Sequence, residues 1–217
     1  MKYFISLAML ATFLVGCFAV TGIASGQEDI PTITLPVTNL LEVRKDLIQE
    51  EGNAYPEGWN EYYFAYRGQI GHLLSDAQAG PFDLVSVYPL PLEMRWVQIL
   101  WAQNRYGESD AWVEEEYSYA VDISSRYVYF DTYLYSDSQP LLDEEHLRFI
   151  FQDSTGNRTE GEIVSYFLEP IKPTYQAAVR VGVPLVDNTY DIDWFILHIS
   201  TNYVSGSVQM RWIFQEE

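Results

Sequence analysis

The sequence predicts a mainly β protein, an antiparallel β-sandwich of seven to eight strands preceded by a short helical region. Three observations support this fold class. Apolar and polar residues alternate with a period of two along most of the chain beyond residue 90, as in half-buried strands. Turn-forming clusters such as residues 136–140 and 153–157 separate these segments. Aromatic residues, which favour strands, make up 16% of the chain.

The N-terminal segment reads as an export signal. Met1 and Lys2 form a short basic start, an apolar run follows, and the chain's one cysteine ends it. Residues 14–17, Leu-Val-Gly-Cys, resemble the lipobox of bacterial lipoproteins, in which the cysteine is lipidated and becomes the first mature residue. Cleavage after Gly26 and an uncleaved anchor are the two alternatives. All three interpretations place the rest of the chain outside the cytoplasm, in the cell envelope or secreted.

Four regions follow from this pattern. Residues 1–17 are the signal with its lipobox, and residues 18–37, with their glycines and prolines, are predicted to form a tether. Residues 38–90 are predicted to be a helical region that packs on the sandwich, with one helix beginning near Thr38 and another over residues 60–79. Residues 91–217 form the predicted sandwich.

The strands of the sandwich are predicted from the alternation. They lie at residues 117–123, 127–135, 147–151, 164–168, 179–183, 195–199 and 208–214, with an eighth at 92–101. The apolar positions of these strands predict a core that contains Phe130, Phe149, Phe151, Val181, Leu197 and Trp212.

A family resemblance supports the same architecture. Residues 127–159, YVYFDTYLYSDSQPLLDEEHLRFIFQDSTGNRT, resemble the core of Ig-like domains in bacterial extracytoplasmic lipoproteins. Residues 179–185, VRVGVPL, and the strand that follows at 192–200 are similar to the second half of those domains. The resemblance implies an Ig-like sandwich with an interaction role, and it supplies no catalytic residues.

Composition limits the classes of partner. The chain has 31 acidic and 12 basic residues, a net charge of −19, and such a surface repels nucleic acid. We therefore expect no nucleic-acid partner. The charge provides solubility, or it serves a calcium-dependent or cationic partner. A hydrophobic content of 48% excludes disorder, and one cysteine cannot form an intrachain disulfide.

Acidic clusters are the only candidates for chemistry that the sequence offers. Asp187, Asp191 and Asp193 are oxygen donors grouped in one loop, and they form the best candidate calcium site. Solvated loop charge is the alternative for this group and for the clusters at 114–116 and 143–145. The sequence contains no nucleophile elbow, phosphate-binding loop or paired metal-binding histidines. We therefore expect no catalytic residue and no cofactor other than calcium.

A row of tyrosines is the candidate binding surface. Tyr127, Tyr129, Tyr133 and Tyr135 share one face of a predicted strand, and such a row suits stacking on sugars or contact with a protein. The alternative is that the row packs beneath the helical region. The sequence therefore favours a lipid-anchored, extracytoplasmic binding or structural module that contacts a protein or a glycan. A secreted enzyme that uses two carboxylates, or a carbohydrate-binding domain acting on envelope polysaccharide, is the alternative.

Overall fold

Two five-stranded β-sheets face each other across one hydrophobic core in the computed structural model. The structure describes residues 30–50, 56–71, 73, 79–185 and 192–216. Within these residues the fold is mainly β, and its two layers are those of a β-sandwich. The bounds of the strands are β1 Thr32–Leu35, β2 Gly68–Gly71, β3 Leu84–Leu90, β4 Tyr127–Ser136, β5 Leu147–Asp153, β6 Arg158–Glu160, β7 Glu162–Ile171, β8 Thr174–Pro184, β9 Trp194–Thr201 and β10 Ser207–Phe214.

Sheet I has the strand order β1-β10-β9-β5-β6, and sheet II has the order β2-β3-β4-β8-β7. All neighbouring strands pair antiparallel except β1, which pairs parallel with β10. The longest pairings join β4, β8 and β7 at the centre and one edge of sheet II. Among the described residues, the α-helices are α1 Lys45–Glu50, α2 Pro56–Ala65, α3 Leu92–Tyr106 and α4 Asp110–Ser124, and 3-10 turns lie at Gln139–Leu141 and Glu144–His146.

Aromatic side chains from both sheets meet in the core. Phe130 of β4 lies 5.8 Å from Phe195 of β9 and 6.2 Å from Trp212 of β10, measured between ring centroids. These contacts show that the even-numbered residues of β4 point toward sheet I, so the odd-numbered ones point away from it. All six predicted core residues are buried, which confirms that part of the prediction: Phe130, Phe149, Phe151, Val181, Leu197 and Trp212.

The chain crosses from one sheet to the other at Gly161, between β6 of sheet I and β7 of sheet II. A Cβ atom at Gly161 would lie 2.5 Å from a methyl carbon of Val181, which is far inside van der Waals contact. The absence of a side chain therefore allows the tight bend that closes the sandwich at this corner.

Most of the predicted strands are confirmed. The segments at 127–135, 147–151, 164–168, 179–183, 195–199 and 208–214 all lie within observed strands, β4, β5, β7, β8, β9 and β10. The alternation in these segments arises because one face of each strand is buried. In β5, for example, every second residue from Leu147 to Asp153 is buried.

The strand predicted at 117–123 is wrong, because this segment is part of α4. Ser109 caps the helix by accepting a hydrogen bond from the backbone N–H of Trp112 at 3.2 Å. The buried residues of α4 are Val113, Ala120 and Ser124, whose spacing is helical. The alternation of apolar and polar residues over 117–123 therefore arose by chance within a longer helical pattern.

The eighth strand, predicted at 92–101, is also wrong, because α3 occupies this segment. Its buried positions include adjacent residues such as Leu92, Glu93 and Met94. A helix that is buried on more than one side loses the polar face that would identify it in the sequence. Gly107 ends the helix in the left-handed conformation, with φ of 72°.

The region before residue 91 contains more strands than the sequence predicted. Within the predicted tether, Thr32–Leu35 form β1, and Leu35 and Val37 are buried. The predicted helix near Thr38 begins only at Lys45, and residues 38–44 form bends and turns. The helix predicted over 60–79 ends at Ala65 and is followed by β2. The division of the chain into tether, helical region and sandwich stays a prediction.

Candidate functional site

The predicted tyrosine row lies on the outer face of sheet II, the side that faces away from sheet I. The structure covers the row unequally. Tyr127 is 36% exposed, Tyr129 and Tyr133 are half-buried, and Tyr135 is buried. The four side chains therefore do not form one continuous open surface, and only the Tyr127 end faces solvent.

Helix α2 covers the Tyr133 end of the row. Tyr63 of α2 stacks on Tyr88 of β3 with ring centroids 4.0 Å apart, and Tyr88 meets the ring of Tyr133 edge-on at 5.9 Å. The hydroxyls of Tyr63 and Tyr133 share a hydrogen bond. Burial, together with the nearby carboxylate of Asp131, raises the pKa of Tyr133 to about 12. This end of the row packs under the helical region, as the alternative interpretation of the row expected.

An ion pair lies in the middle of the same face. Asp131 of β4 stands directly opposite Arg180 of β8, and the Nε and Nη2 atoms of Arg180 donate to the two carboxylate oxygens at 2.7 and 2.9 Å. Such a two-point contact is the strongest geometry for this pair. Burial disfavours the charge of Arg180, but the hydrogen bonds that Arg180 donates to Asp131 outweigh it and raise the pKa of Arg180.

Two more arginines lie at the border of this face. Arg67 hydrogen-bonds the hydroxyl of Tyr88. Tyr88 of β3 pairs with Asp131 of β4, so Tyr88 and Arg180 flank Asp131 on its two sides. Arg95 of α3 lies near Arg180, Asp131 and Glu116, and burial and the charge of Arg180 lower the pKa of Arg95. Three of the twelve basic residues of a strongly acidic protein are thus gathered here, near the carboxylates of Asp131 and Glu116.

Tyr127 and Tyr129 form what we call the tyrosine platform. Their ring centroids lie 6.1 Å apart, and the two ring planes differ by 30°. The ring of Tyr129 packs over Gly182 of β8, because a Cβ atom at Gly182 would lie 3.0 Å from Cε1 of Tyr129. Since Gly182 has no side chain, the Tyr129 ring leans across β8 beside Arg180 instead of standing upright.

The free edge of sheet II continues the platform with apolar side chains. Val164 and Phe167 of β7 are 57% and 60% exposed. Val164 approaches the same side of Gly182 as Tyr129 does. Phe167 pairs with Ala178, which in turn stands opposite Tyr133. The outer face therefore carries aromatic and apolar groups on both sides of the Asp131–Arg180 pair.

A groove lined by carboxylates lies elsewhere, where the two sheets meet at the β6–β7 corner. It has a volume of about 630 Å³ and is lined by Asp143, Glu144, Glu145, Leu147, Arg148, Phe149, Glu160, Gly161 and Ile163. Arg148 donates from Nη1 to the backbone oxygens of Glu145 and Leu147, at 3.0 and 2.7 Å. The groove thus collects one of the acidic clusters of the sequence.

The candidate calcium site falls mostly outside the described residues. Asp187 and Asp191 are not described, and Asp193 is exposed, with its backbone N–H donating to Ser154 at 2.9 Å. Among the residues that the structure describes, no group of three or more His, Cys, Asp or Glu side chains is placed to hold a metal ion. Calcium at this loop stays a prediction.

Cys17 and the whole signal segment also lie outside the described residues. In the described part of the chain, the helices are too short or too polar to cross a membrane. No known family model matches this chain, and no curated protein is similar to it in sequence.

Sequence reasoning identified the tyrosines but missed Asp131, Arg180, Arg95 and Gly182. One signal was present, because Asp131 interrupts a row of tyrosines on the same strand face. A charge at the centre of a partly buried strand needs a partner. Its partner is distant in sequence, and only the pairing of β4 with β8 brings the two together.

Proposed function

We propose that this chain is an extracytoplasmic, lipid-anchored binding module without catalytic activity. We assign its sandwich to the Ig-like type, on the resemblance of residues 127–159 and 179–185. Its contact surface is the outer face of sheet II around the tyrosine platform, and its ligand is a glycan. The observation that carries this proposal is the pair of neighbouring rings of Tyr127 and Tyr129, tilted by 30° to each other, beside Arg180, whose side chain is 31% exposed.

Aromatic rings and a guanidinium on a rigid sheet suit recognition. Tyrosine provides a large contact area at a low cost in conformational entropy, and the platform is held by β4 and β8, whose pairing runs from Tyr127 to Ser136. Phe167 and Val164 extend the apolar contact area. Sugar rings have an apolar face and a polar rim, so they match a surface on which tyrosines surround a charged group.

We expect that changing Tyr127 and Tyr129 together to Ser weakens binding by about tenfold or more. The measurement is affinity electrophoresis of the full chain in gels that contain soluble polysaccharides. Both side chains are partly exposed, so the melting temperature should change little. The matched control is Tyr106→Ser with Tyr203→Ser, two exposed tyrosines elsewhere on the molecule. Equal losses in both double variants, or a loss of folding, would contradict the proposal.

The lipid anchor has its own test. If Cys17 is lipidated, the native mature protein begins at this residue, carries a diacylglyceryl-type mass and partitions with membranes, because several acyl chains hold a protein firmly. Mass spectrometry of the native N-terminus measures this directly. An unmodified chain that begins at Gln27 refutes the anchor and leaves a soluble secreted protein with the same binding face.

The groove at the β6–β7 corner supports a second candidate, a carboxylate-dependent enzyme acting on polysaccharide. Glu144 and Glu160 both line it, and glycoside hydrolysis needs two carboxyl groups on either side of the scissile bond. Turnover of any envelope polysaccharide that disappears in Glu160→Gln or Glu144→Gln would favour the enzyme. Turnover that persists in both variants, or none at all, argues against it.

A further inference from the structure

We propose that the outer face of sheet II binds an acidic sugar, with the free edge of Arg180 holding its carboxylate and the tyrosine platform carrying its ring. This inference rests on the proposed function and names the ligand class of the same surface. It depends on three features of the face: the unused donors of Arg180, the second arginine at Arg95, and the small residues beside Arg180 on β8.

The guanidinium of Arg180 has donors to spare. Its five N–H groups form a planar fork, and Asp131 engages the edge that carries Nε and Nη2. The side chain is 31% exposed despite the ion pair. Nη1 has no hydrogen-bond partner among the residues that the structure describes. The edge formed by Nη1 and Nη2 therefore remains open, and this edge binds a second carboxylate in a bidentate manner.

Charge favours an anion at this place although the protein as a whole is acidic. Among the described residues, Arg67 and Arg95 add two positive charges near Arg180, against the carboxylates of Asp131 and Glu116 and, at the β7 edge, Glu162, which pairs with Gly182. Arg95 donates from Nη1 to the side chain of Gln98 at 3.2 Å, its one hydrogen bond in the described part of the chain. Two neighbouring guanidinium groups repel each other, and a carboxylate placed near both relieves the repulsion. At physiological salt the distant carboxylates are largely screened.

The face is low beside Arg180. The residues on either side of Arg180 on the outer face of β8 are Ala178 and Gly182, as the pairing with Tyr133 and Tyr129 shows. Ala178 is small, and the Tyr129 ring and Val164 lie over Gly182, so the guanidinium and the Tyr129 ring are approached from the same side. A sugar that carries a carboxylate presents both groups that this surface accepts, an apolar ring face and a planar anion.

The test compares polygalacturonate with its carboxyl-reduced form, in which each carboxylate has become an alcohol on the same backbone. Binding of each polymer to the full chain in detergent is measured by titration calorimetry. We expect the wild-type protein to bind polygalacturonate at least about tenfold more tightly than the reduced polymer, because the reduced polymer lacks one charge-assisted contact.

Two variants assign the effect to the arginines. Asp131→Asn together with Arg180→Gln removes the guanidinium without leaving a buried carboxylate unpaired, and we expect it to lose the preference for the acidic polymer. If the pair variant fails to fold, Arg95→Gln takes its place, because it leaves the ion pair intact. We expect Arg95→Gln to reduce the preference for the acidic polymer. Arg158→Gln on sheet I is the control, because its side chain lies on an exposed strand of the other sheet and should change nothing.

The outcomes separate this inference from the proposed function. Equal binding of both polymers, lost in the Tyr127→Ser, Tyr129→Ser variant, overturns the acidic-sugar inference and leaves the glycan surface standing. A preference for the acidic polymer that survives both arginine variants also overturns it. Loss of binding to polygalacturonate in the arginine variants, with an unchanged melting temperature, supports it. Binding to neither polymer overturns it as well.

Discussion

Replacing Phe130 with Ala should destabilise the fold by about 3–5 kcal/mol. The side chain is fully buried and bridges the sheets, with ring contacts to Phe151, Phe195 and Trp212. Its loss leaves a cavity that three large rings cannot fill, since each is fixed by its own strand. Equilibrium urea unfolding followed by tryptophan fluorescence measures the change in the free energy of unfolding.

Phe167→Ala is the matched control for this prediction. It removes the same side chain from an exposed position on β7, so the free energy of unfolding should change by less than about 0.5 kcal/mol. Similar losses in the two variants would show that Phe130 does not occupy a shared core. A small loss at Phe130 alone would show that the two sheets pack less closely than the ring contacts indicate.

Replacing Glu93 with Ala should lower the free energy of unfolding by about 2–3 kcal/mol, because it leaves buried donors without an acceptor. The Glu93 carboxylate is fully buried. It accepts hydrogen bonds from the Tyr66 hydroxyl and from the backbone N–H of Arg44, the latter at 2.8 Å. These bonds join α3 to the residue that directly follows α2 and to the loop before α1. Glu93→Gln retains an acceptor, so its free energy of unfolding should fall by less than half as much. Thermal unfolding of the two variants measures the difference.

The pH dependence of stability gives a second readout of Glu93. Burial raises the pKa of this carboxyl, although the hydrogen bonds from Tyr66 and Arg44 oppose the shift. The folded state therefore binds a proton more readily than the unfolded state, so the group destabilises the fold at neutral pH. This penalty fades as the pH falls through the folded-state pKa. The stability of the wild type relative to Glu93→Gln should rise in that range, and a flat difference would contradict the burial of the charge.

The fold class could be predicted because most strands expose one face to solvent. Strands such as β5 and β10 alternate buried and partly exposed residues along nearly their whole length, and this pattern is visible in sequence. Strand β3 was missed because all seven of its residues are buried, so no alternation marks it. Strand β2 was missed because a four-residue segment that begins and ends with glycine carries little strand signal.

The site could be predicted only in part, for a related reason. Alternation placed the tyrosines on one face of β4, but it could not show which of them a helix covers. Tyr63, which closes the Tyr133 end, lies seventy residues earlier in the chain. The pairing of Asp131 with Arg180 likewise depends on the register of two strands. Contacts between distant segments are fixed by the tertiary fold and leave no local pattern in the sequence.

The most direct measurement of the central claim is hydroxyl-radical footprinting of the exposed aromatic side chains, with and without the bound polysaccharide. We expect slower oxidation of Tyr127, Tyr129 and Phe167 in the complex. Oxidation of Tyr106 and Tyr203 should stay unchanged, and these two residues correct for radicals that the sugar consumes. Protection of Tyr106 or Tyr203 with no change at Tyr127 and Tyr129 would contradict the claim that the outer face of sheet II is the binding surface.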